Sequence, residues 1–276
     1  MQTSLKQRPK SKGQRILTRI WQDRGLYLLL APAMLYFVFF RLWPIWNMRL
    51  AFFNYKARSA WTWAGMKWFE IIFSSNGFFT ILGNTMRISF MKYVLMFPFS
   101  VAFAILLNEL PFARFKKLTQ TASYLPHFLS WVILASVLLE MFGYKGVINS
   151  ILGVFGIRGK IWFSEESCFR QLVIGSDVWK EFGFNAVIYL AALTGISPEL
   201  YEAAAIDGCS RWKAVWNITI PGIASTIVVL SILGLGNVLN AGFDQIFNLY
   251  SPLVYSTGDI LDTWVYRMGL LNVQFS

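Results

Sequence analysis

Cysteine and histidine are nearly missing from this chain. Its 276 residues include two cysteines, Cys168 and Cys209, and one histidine, His127. That excludes a disulfide framework and any His/Cys metal cluster. Charge is scarce as well: 14% of residues are charged, against about 25% in an ordinary soluble domain. Acids are the scarcer sign, with 14 Asp and Glu against 25 Lys and Arg, and no paired carboxylates or nucleophile–base arrangement stands out among them. A phosphate-binding loop is also lacking. It needs glycine, four residues, then Gly-Lys-Ser/Thr, whereas around Gly159 and Lys160 the first glycine is replaced by Val154 and the hydroxyl residue by Ile161. The chain is therefore not expected to be an enzyme or to bind a cofactor itself. No recognition helix or base-stacking pattern accompanies the net charge of +11, so nucleic acid is not an expected partner.

Apolar residues are plentiful: 56% are hydrophobic and 17% aromatic, with a mean hydropathy of +0.49. They gather in runs near the ~20 residues that cross a bilayer. Five spans are expected, over residues 25–46, 80–107, 121–142, 171–196 and 222–249. The fold class is all-α, a polytopic membrane helical bundle. The first run exceeds the about 7–15 apolar residues of a signal peptide, and bulky residues follow it, so it is read as a retained span. A basic tail, residues 1–24, precedes it and is expected in the cytoplasm. The loop with Arg114, Lys116 and Lys117 then falls on the same side, as does the segment with Arg211 and Lys213. The excess of Lys and Arg on that face is narrow, and the N-terminal cluster sets the direction. The positive charge is then explained by topology and contact with anionic lipid. Cys168 and Cys209 fall on opposite faces and cannot pair. His127, after Pro126 in the third span, reads as a packed helix residue.

Between the last two spans lies a polar, alanine-rich segment, residues 197–221. Ser197 suits an N-cap and Pro198 the first helical position. Glu199 and Glu202 favour the positive end of the helix dipole. The run "YEAAAID" is strongly helix-forming, and Gly208 can take the left-handed conformation that stops a helix. A second short helix can start near Ser210, with Trp212, Val215, Trp216 and Thr219 at helical spacing. Pro221 marks entry to the fifth span. Two short helices joined by a glycine bend can lie on lipid as an interfacial connector, or sit in a groove of another protein.

The spacing of this segment resembles the cytoplasmic loop motif of binding-protein-dependent ABC importer permeases: Glu-Ala-Ala, three residues, Gly, nine residues, Ile, one residue, Leu-Pro. Here it reads Glu202-Ala203-Ala204, then Gly208, then Ile218-Thr219-Ile220-Pro221, with Ile220 in place of leucine. "ELYEAAAIDG" looks like the carbohydrate, maltose-type branch. Residues 242–270 resemble permeases for complex oligosaccharides, including the lipo-oligosaccharide and alginate systems. The resemblance runs from about residue 25 onward. It implies the type I ABC importer permease fold in a bacterial plasma (inner) membrane. It implies a second, related permease as a heterodimer partner and an external solute-binding protein delivering a carbohydrate. Two cytoplasmic ATPase subunits would bind ATP and Mg. It also implies that Glu202, Ala203, Ala204, Asp207, Gly208, Ile218 and Pro221 carry force from the ATPases.

Polar residues within spans are costly and usually face a cavity or a partner. Arg87, Lys92, Lys180, Asn185, Asn237, Asn240, Asp244 and Gln245 are the pathway candidates, with Asn84 beside them. Asp177, Glu181 or Glu140 can neutralise the cations, and asparagines often bond between helices. Left in surplus, the cations would favour an acidic, uronate-containing sugar chain. Trp43, Trp46, Trp61, Trp63 and Trp68 cluster near the first external connection, where the headgroup level suits indoles and sugar stacking is the rival role. Residues 250–276 are read as an external segment. The resemblance calls for a sixth span after it, absent from the sequence, so a truncated chain is expected. Two rival functions stand against the importer: an ion-coupled secondary transporter, and a non-transporting scaffold that docks a soluble partner.

Overall fold

The structure, a computed structural model, describes residues 21–55 and 60–272. Most of the basic tail, residues 1–20, lies outside the described residues. The chain divides into two compact units near Ile71.

The first unit opens with a long apolar helical run, α1 (Arg24–Phe52). Pro32 sits inside it; in lipid such a residue is tolerated because neighbouring groups satisfy the freed carbonyl. A two-residue antiparallel hairpin, β1 (Phe53–Asn54) with β2 (Thr62–Trp63), follows, with Phe53 opposite Trp63. Aromatic packing holds it: the Phe52 and Trp63 rings stack with centroids 5.9 Å apart, and Phe53 meets Trp63 edge-on at 5.1 Å. Asn54 donates to the Thr62 hydroxyl at 3.0 Å. Helix α2 (Lys67–Ser74) comes next.

The second unit is helical. It contains α3 (Asn76–Glu109), α4 (Ala113–Tyr124), α5 (Trp131–Met141), α6 (Val147–Val154), α7 (Glu166–Leu193), α8 (Pro198–Ile206), α9 (Arg211–Leu235), α10 (Phe243–Leu249) and α11 (Leu261–Val265). Ser75 caps α3, its hydroxyl accepting from the Phe78 N–H at 3.3 Å. Helices α3 and α7 form the main pairing. One apolar core gathers Ile88, Phe169, Val173, Ile246 and Ile260. A second gathers Ala104, Ala186, Tyr189, Leu193 and Ile223, where α9 joins the pair. Small residues permit these approaches: a Cβ on Gly183 of α7 would overlap the Ser123 carbonyl of α4.

Two of the expected spans differ in outline. Residues 121–142 are not one helix. Pro126 lies in a 3-10 turn (Leu125–Phe128), Ser130 caps α5, and the two arms bend by 103°. The cause is local: proline removes a donor, and the Ser130 hydroxyl accepts from the Ile133 N–H at 3.4 Å, starting a new helix. Residues 222–249 are interrupted as well. α9 ends at Leu235, and α10 starts only after Gly242, whose φ of 90° is left-handed. In the other direction, α9 runs unbroken from Arg211, so Pro221 does not begin a new helix. A π-turn (Val215–Thr219) precedes that proline, and the Ile220 N–H reaches back to the Val215 carbonyl. This widened turn accommodates the proline. Among the described residues, three helices are long and apolar enough to cross a membrane, or four if the bent pair is one span. Helix α7 falls short on composition because it carries Asp177, Lys180 and Glu181, which turn inward.

Candidate functional site

Two features are candidates for function, one at each end of α9. The first is the elbow between α8 and α9. Ser197 stands at the N-cap in an extended conformation and Pro198 in the first turn, though the Ser197 side chain makes no capping bond. The helix closes through the Asp207 N–H to the Ala203 carbonyl (3.0 Å) and the Cys209 N–H to the Ala204 carbonyl (2.8 Å). Gly208 has a φ of +77° and nothing within 4 Å of an added Cβ. The bend therefore demands glycine for its backbone, not for space. The Tyr201 hydroxyl lies 3.0 Å from that of Thr219, tying α8 to the base of α9.

The elbow's outer face is exposed and partly apolar. Glu202, Ala203, Asp207 and Gly208 are exposed, as is Pro221, while Ala204 and Ile218 are half-buried. Ile206 is 87% exposed and Trp212 71%. Ile206 was not singled out from the sequence; its position beside the helix end is the signal that would have found it. An exposed apolar tip between acidic and basic side chains is a candidate contact surface.

The second feature is a polar cleft between α3, α7 and the end of α9. It has a volume of about 520 Å³ and is lined by Lys92, Tyr93, Asp177, Glu181, Asn185, Asn237 and Asn240, among others. A second lobe of about 270 Å³ adjoins it, sharing Tyr93, Asn185 and Asn237. Tyr93 donates to the Ser231 carbonyl at 2.8 Å, fixing the α3 wall against α9.

Lys92 is 7% exposed. Its ammonium donates to the Ala241 carbonyl at 2.8 Å and to the Gln245 side-chain oxygen, and it stands 3.4 Å from the Asp177 carboxylate. Gln245 in turn donates to the Val173 carbonyl and the Ser176 hydroxyl, at 2.7 and 2.9 Å. One buried cation thus fastens the interruption between α9 and α10 to both α3 and α7. Lys180 is held nearby but apart. It donates to the His127 carbonyl at 2.9 Å and to Glu181 at 2.7 Å, and lies over the Trp131 ring. His127 stacks on Phe184 at 3.8 Å, with its Nδ1 2.6 Å from Glu181.

Of the eight sequence candidates, Lys92, Asn185, Asn237 and Asn240 line the cleft, and Gln245 lies beneath it. Lys180 belongs to the neighbouring His127–Glu181 network. Arg87 and Asp244 are exposed and outside the cleft lining. Asn84 is structural: it donates to the Ser256 and Asp259 carbonyls and accepts from Arg170. The surplus of cations does not survive folding. Lys92 meets Asp177 and Lys180 meets Glu181, because an unpaired charge away from water is too costly to leave. Asp177 and Glu181, first read only as counter-ions, are part of the cleft wall. No group of His, Cys, Asp and Glu among the described residues could hold a metal ion.

Comparison with known proteins gives concordant matches. A family model described as "Binding-protein-dependent transport system inner membrane component" matches residues 96–243. The polygalacturonan/rhamnogalacturonan transport system permease protein YteP of Bacillus subtilis is 40% identical over 273 residues, covering 97% of this chain and 84% of that protein. Protein LplB of the same organism is 37% identical, covering 96% and 85%. Among solved structures, a bacterial ABC transporter involved in import of the acidic polysaccharide alginate has a chain 35% identical to this one. It superposes with a TM-score of 0.86 over 95% of this chain and 89% of that one. A bacterial alginate ABC transporter solved in complex with an alginate pentasaccharide-bound periplasmic protein also has a chain 35% identical, with a TM-score of 0.86 over 94% of this chain and 88% of that one.

Proposed function

The chain belongs to the binding-protein-dependent transport system inner membrane components, and from that premise we propose that it forms half of an ATP-driven pathway for an oligo- or polysaccharide. It is a transport subunit and not a catalyst. The observation that carries the reading is the continuity of α9. This helix starts at the elbow, at Arg211, and ends at Leu235 beside the cleft, 25 residues later. At about 1.5 Å per residue it is a lever about 37 Å long. Movement imposed on Gly208 and its flanks passes along α9 to Leu235, where the short connection that carries Asn237 and Asn240 begins.

The roles follow from that lever. A cytoplasmic ATPase covers α8, with Ile206 and Trp212 filling a cleft on its surface and Glu202 and Asp207 at the rim. ATP and Mg stay on the ATPases. A second, related permease supplies the other half of the pathway, and a solute-binding protein delivers the sugar from outside. The N-terminus then lies in the cytoplasm of a bacterial cell. The cleft meets the sugar: amides and carboxylates recognise hydroxyls, and Tyr93 offers a flat face. The names of two relatives, a polygalacturonan/rhamnogalacturonan and an arabinooligosaccharides transport system permease, support an oligo- or polysaccharide over a monosaccharide.

Reconstitution tests the reading. With a second permease, the ATPases and the binding protein in proteoliposomes, sugar uptake should require ATP. Uptake at the same rate without any ATPase subunit would overturn it and restore the ion-coupled alternative. Ile206→Asp should block co-purification of the ATPase while membrane insertion stays intact.

A further inference from the structure

We propose that Asp177 sets the charge preference of the cleft, so that this chain reads the hydroxyl edge of a sugar and turns carboxylates away. The proposal rests on the cleft being this chain's share of the pathway.

Few polar groups of the cleft are left free. Lys92 donates to the Ala241 carbonyl and the Gln245 oxygen, and its charge is matched by the Asp177 carboxylate 3.4 Å away. Both Glu181 oxygens are engaged, one with Lys180 and one with His127. Asp177 differs. Its Oδ2 has no hydrogen-bond or ion-pair partner among the described residues, and the side chain keeps 19% exposure on the cleft wall. Asn185 donates to the Glu181 carbonyl, leaving its own oxygen free. Asn240 accepts from the Gly242 N–H, leaving its two amide donors free. The open groups are therefore one anionic acceptor, neutral amide acceptors and neutral amide donors, with no open cation among the lining residues.

A sugar hydroxyl both donates and accepts, so it can satisfy Asp177 Oδ2 and an asparagine together. A uronate carboxylate only accepts and carries negative charge. Set against Asp177, it meets a like charge in a partly desolvated site, which disfavours it. An acidic sugar chain then crosses with its carboxylates facing the second permease and its hydroxyls facing this chain.

The test is uptake of two oligosaccharides of equal length, one neutral and one uronate, by the full reconstituted complex. Asp177→Asn removes the repulsion and releases Lys92 toward the cleft. The ratio of uronate to neutral uptake should rise on the order of tenfold. Because that variant strips a buried cation of its partner, the double variant Lys92→Gln/Asp177→Asn is measured beside it. There the ratio should rise by a smaller factor, since the repulsion goes without a cation being freed. An unchanged ratio in both variants, with both sugars still transported, overturns the assignment to Asp177. If Asn237→Ala leaves uptake of both sugars at the wild-type rate, the cleft is not the pathway, and it is the underlying reading that fails.

Discussion

The hydroxyls of Tyr201 and Thr219 lie 3.0 Å apart, joining the exposed α8 to a buried position in α9. Thr219 is 1% exposed and stands two residues before Pro221, in the turn where the helix ladder is already widened. The contact therefore clamps the elbow to the lever at its softest turn. Tyr201→Phe should cost about 1 kcal/mol of stability and leave assembly intact. The expected effect is on coupling: less sugar moved per ATP hydrolysed, measured by paired uptake and phosphate-release assays on the same vesicles.

Gly208 makes a sharper prediction. Its φ of +77° puts a side chain in the left-handed region, at a cost of about 1–2 kcal/mol for most residues. Asparagine tolerates that region and a β-branched residue does not. Gly208→Asn should keep most transport, and Gly208→Val should lose most of it while inserting normally. Equal activity of the two variants would show that the bend is not under conformational constraint.

The elbow was legible in the sequence because its rules are local, whereas the Tyr201–Thr219 contact across it was not. Pro198, the alanine run and Gly208 each state a backbone preference within one or two turns. The interruptions were less legible. Pro126 and Gly242 were visible as residues, but the apolar runs around them satisfied the length rule for a span, and that rule does not register a 103° bend. The charge pattern was the least legible. Lys92 and Asp177 sit on different helices, and only the register of α3 against α7 decides that they meet. Counting cations in the sequence suggested a surplus, whereas Lys92 pairs across helices with Asp177, Lys180 pairs along α7 with Glu181, and Arg87 stays exposed outside the cleft. The same pairing explains why α7, with its charged residues turned inward, reads as a poor span on composition.

Gly183 tests the packing of α4 against α7. A Cβ there would overlap the backbone of Ser123, so even alanine must push α4 away from α7. Small-to-large changes in packed interiors cost about 1–3 kcal/mol. Gly183→Ala should lower the detergent-solubilised melting temperature. Gly175→Ala on the same helix, with nothing within 4 Å, should leave it unchanged.

The interruption between α9 and α10 yields the last prediction. Lys92 and Gln245 are buried and bonded to each other, and through them the Ala241 carbonyl is held. Lys92→Met removes the cation and leaves Asp177, Gln245 and the Ala241 carbonyl without their common donor. Breaking one side of a buried pair typically costs about 3–5 kcal/mol, so this variant should fold poorly and yield little assembled complex. Gln245→Glu keeps the shape and gives Lys92 a second carboxylate. It should assemble, because the cation then has a charged partner on each side. Its two amide donors to Val173 and Ser176 are lost, however, and the turn before α10 is then held from α3 alone. The expected result is a complex of normal yield in which the 236–242 connection loses protection in hydrogen exchange and uptake slows, while ATP hydrolysis continues. A Gln245→Glu complex with wild-type exchange at that connection would mean that the turn is set by Gly242 and its neighbours, without the buried network.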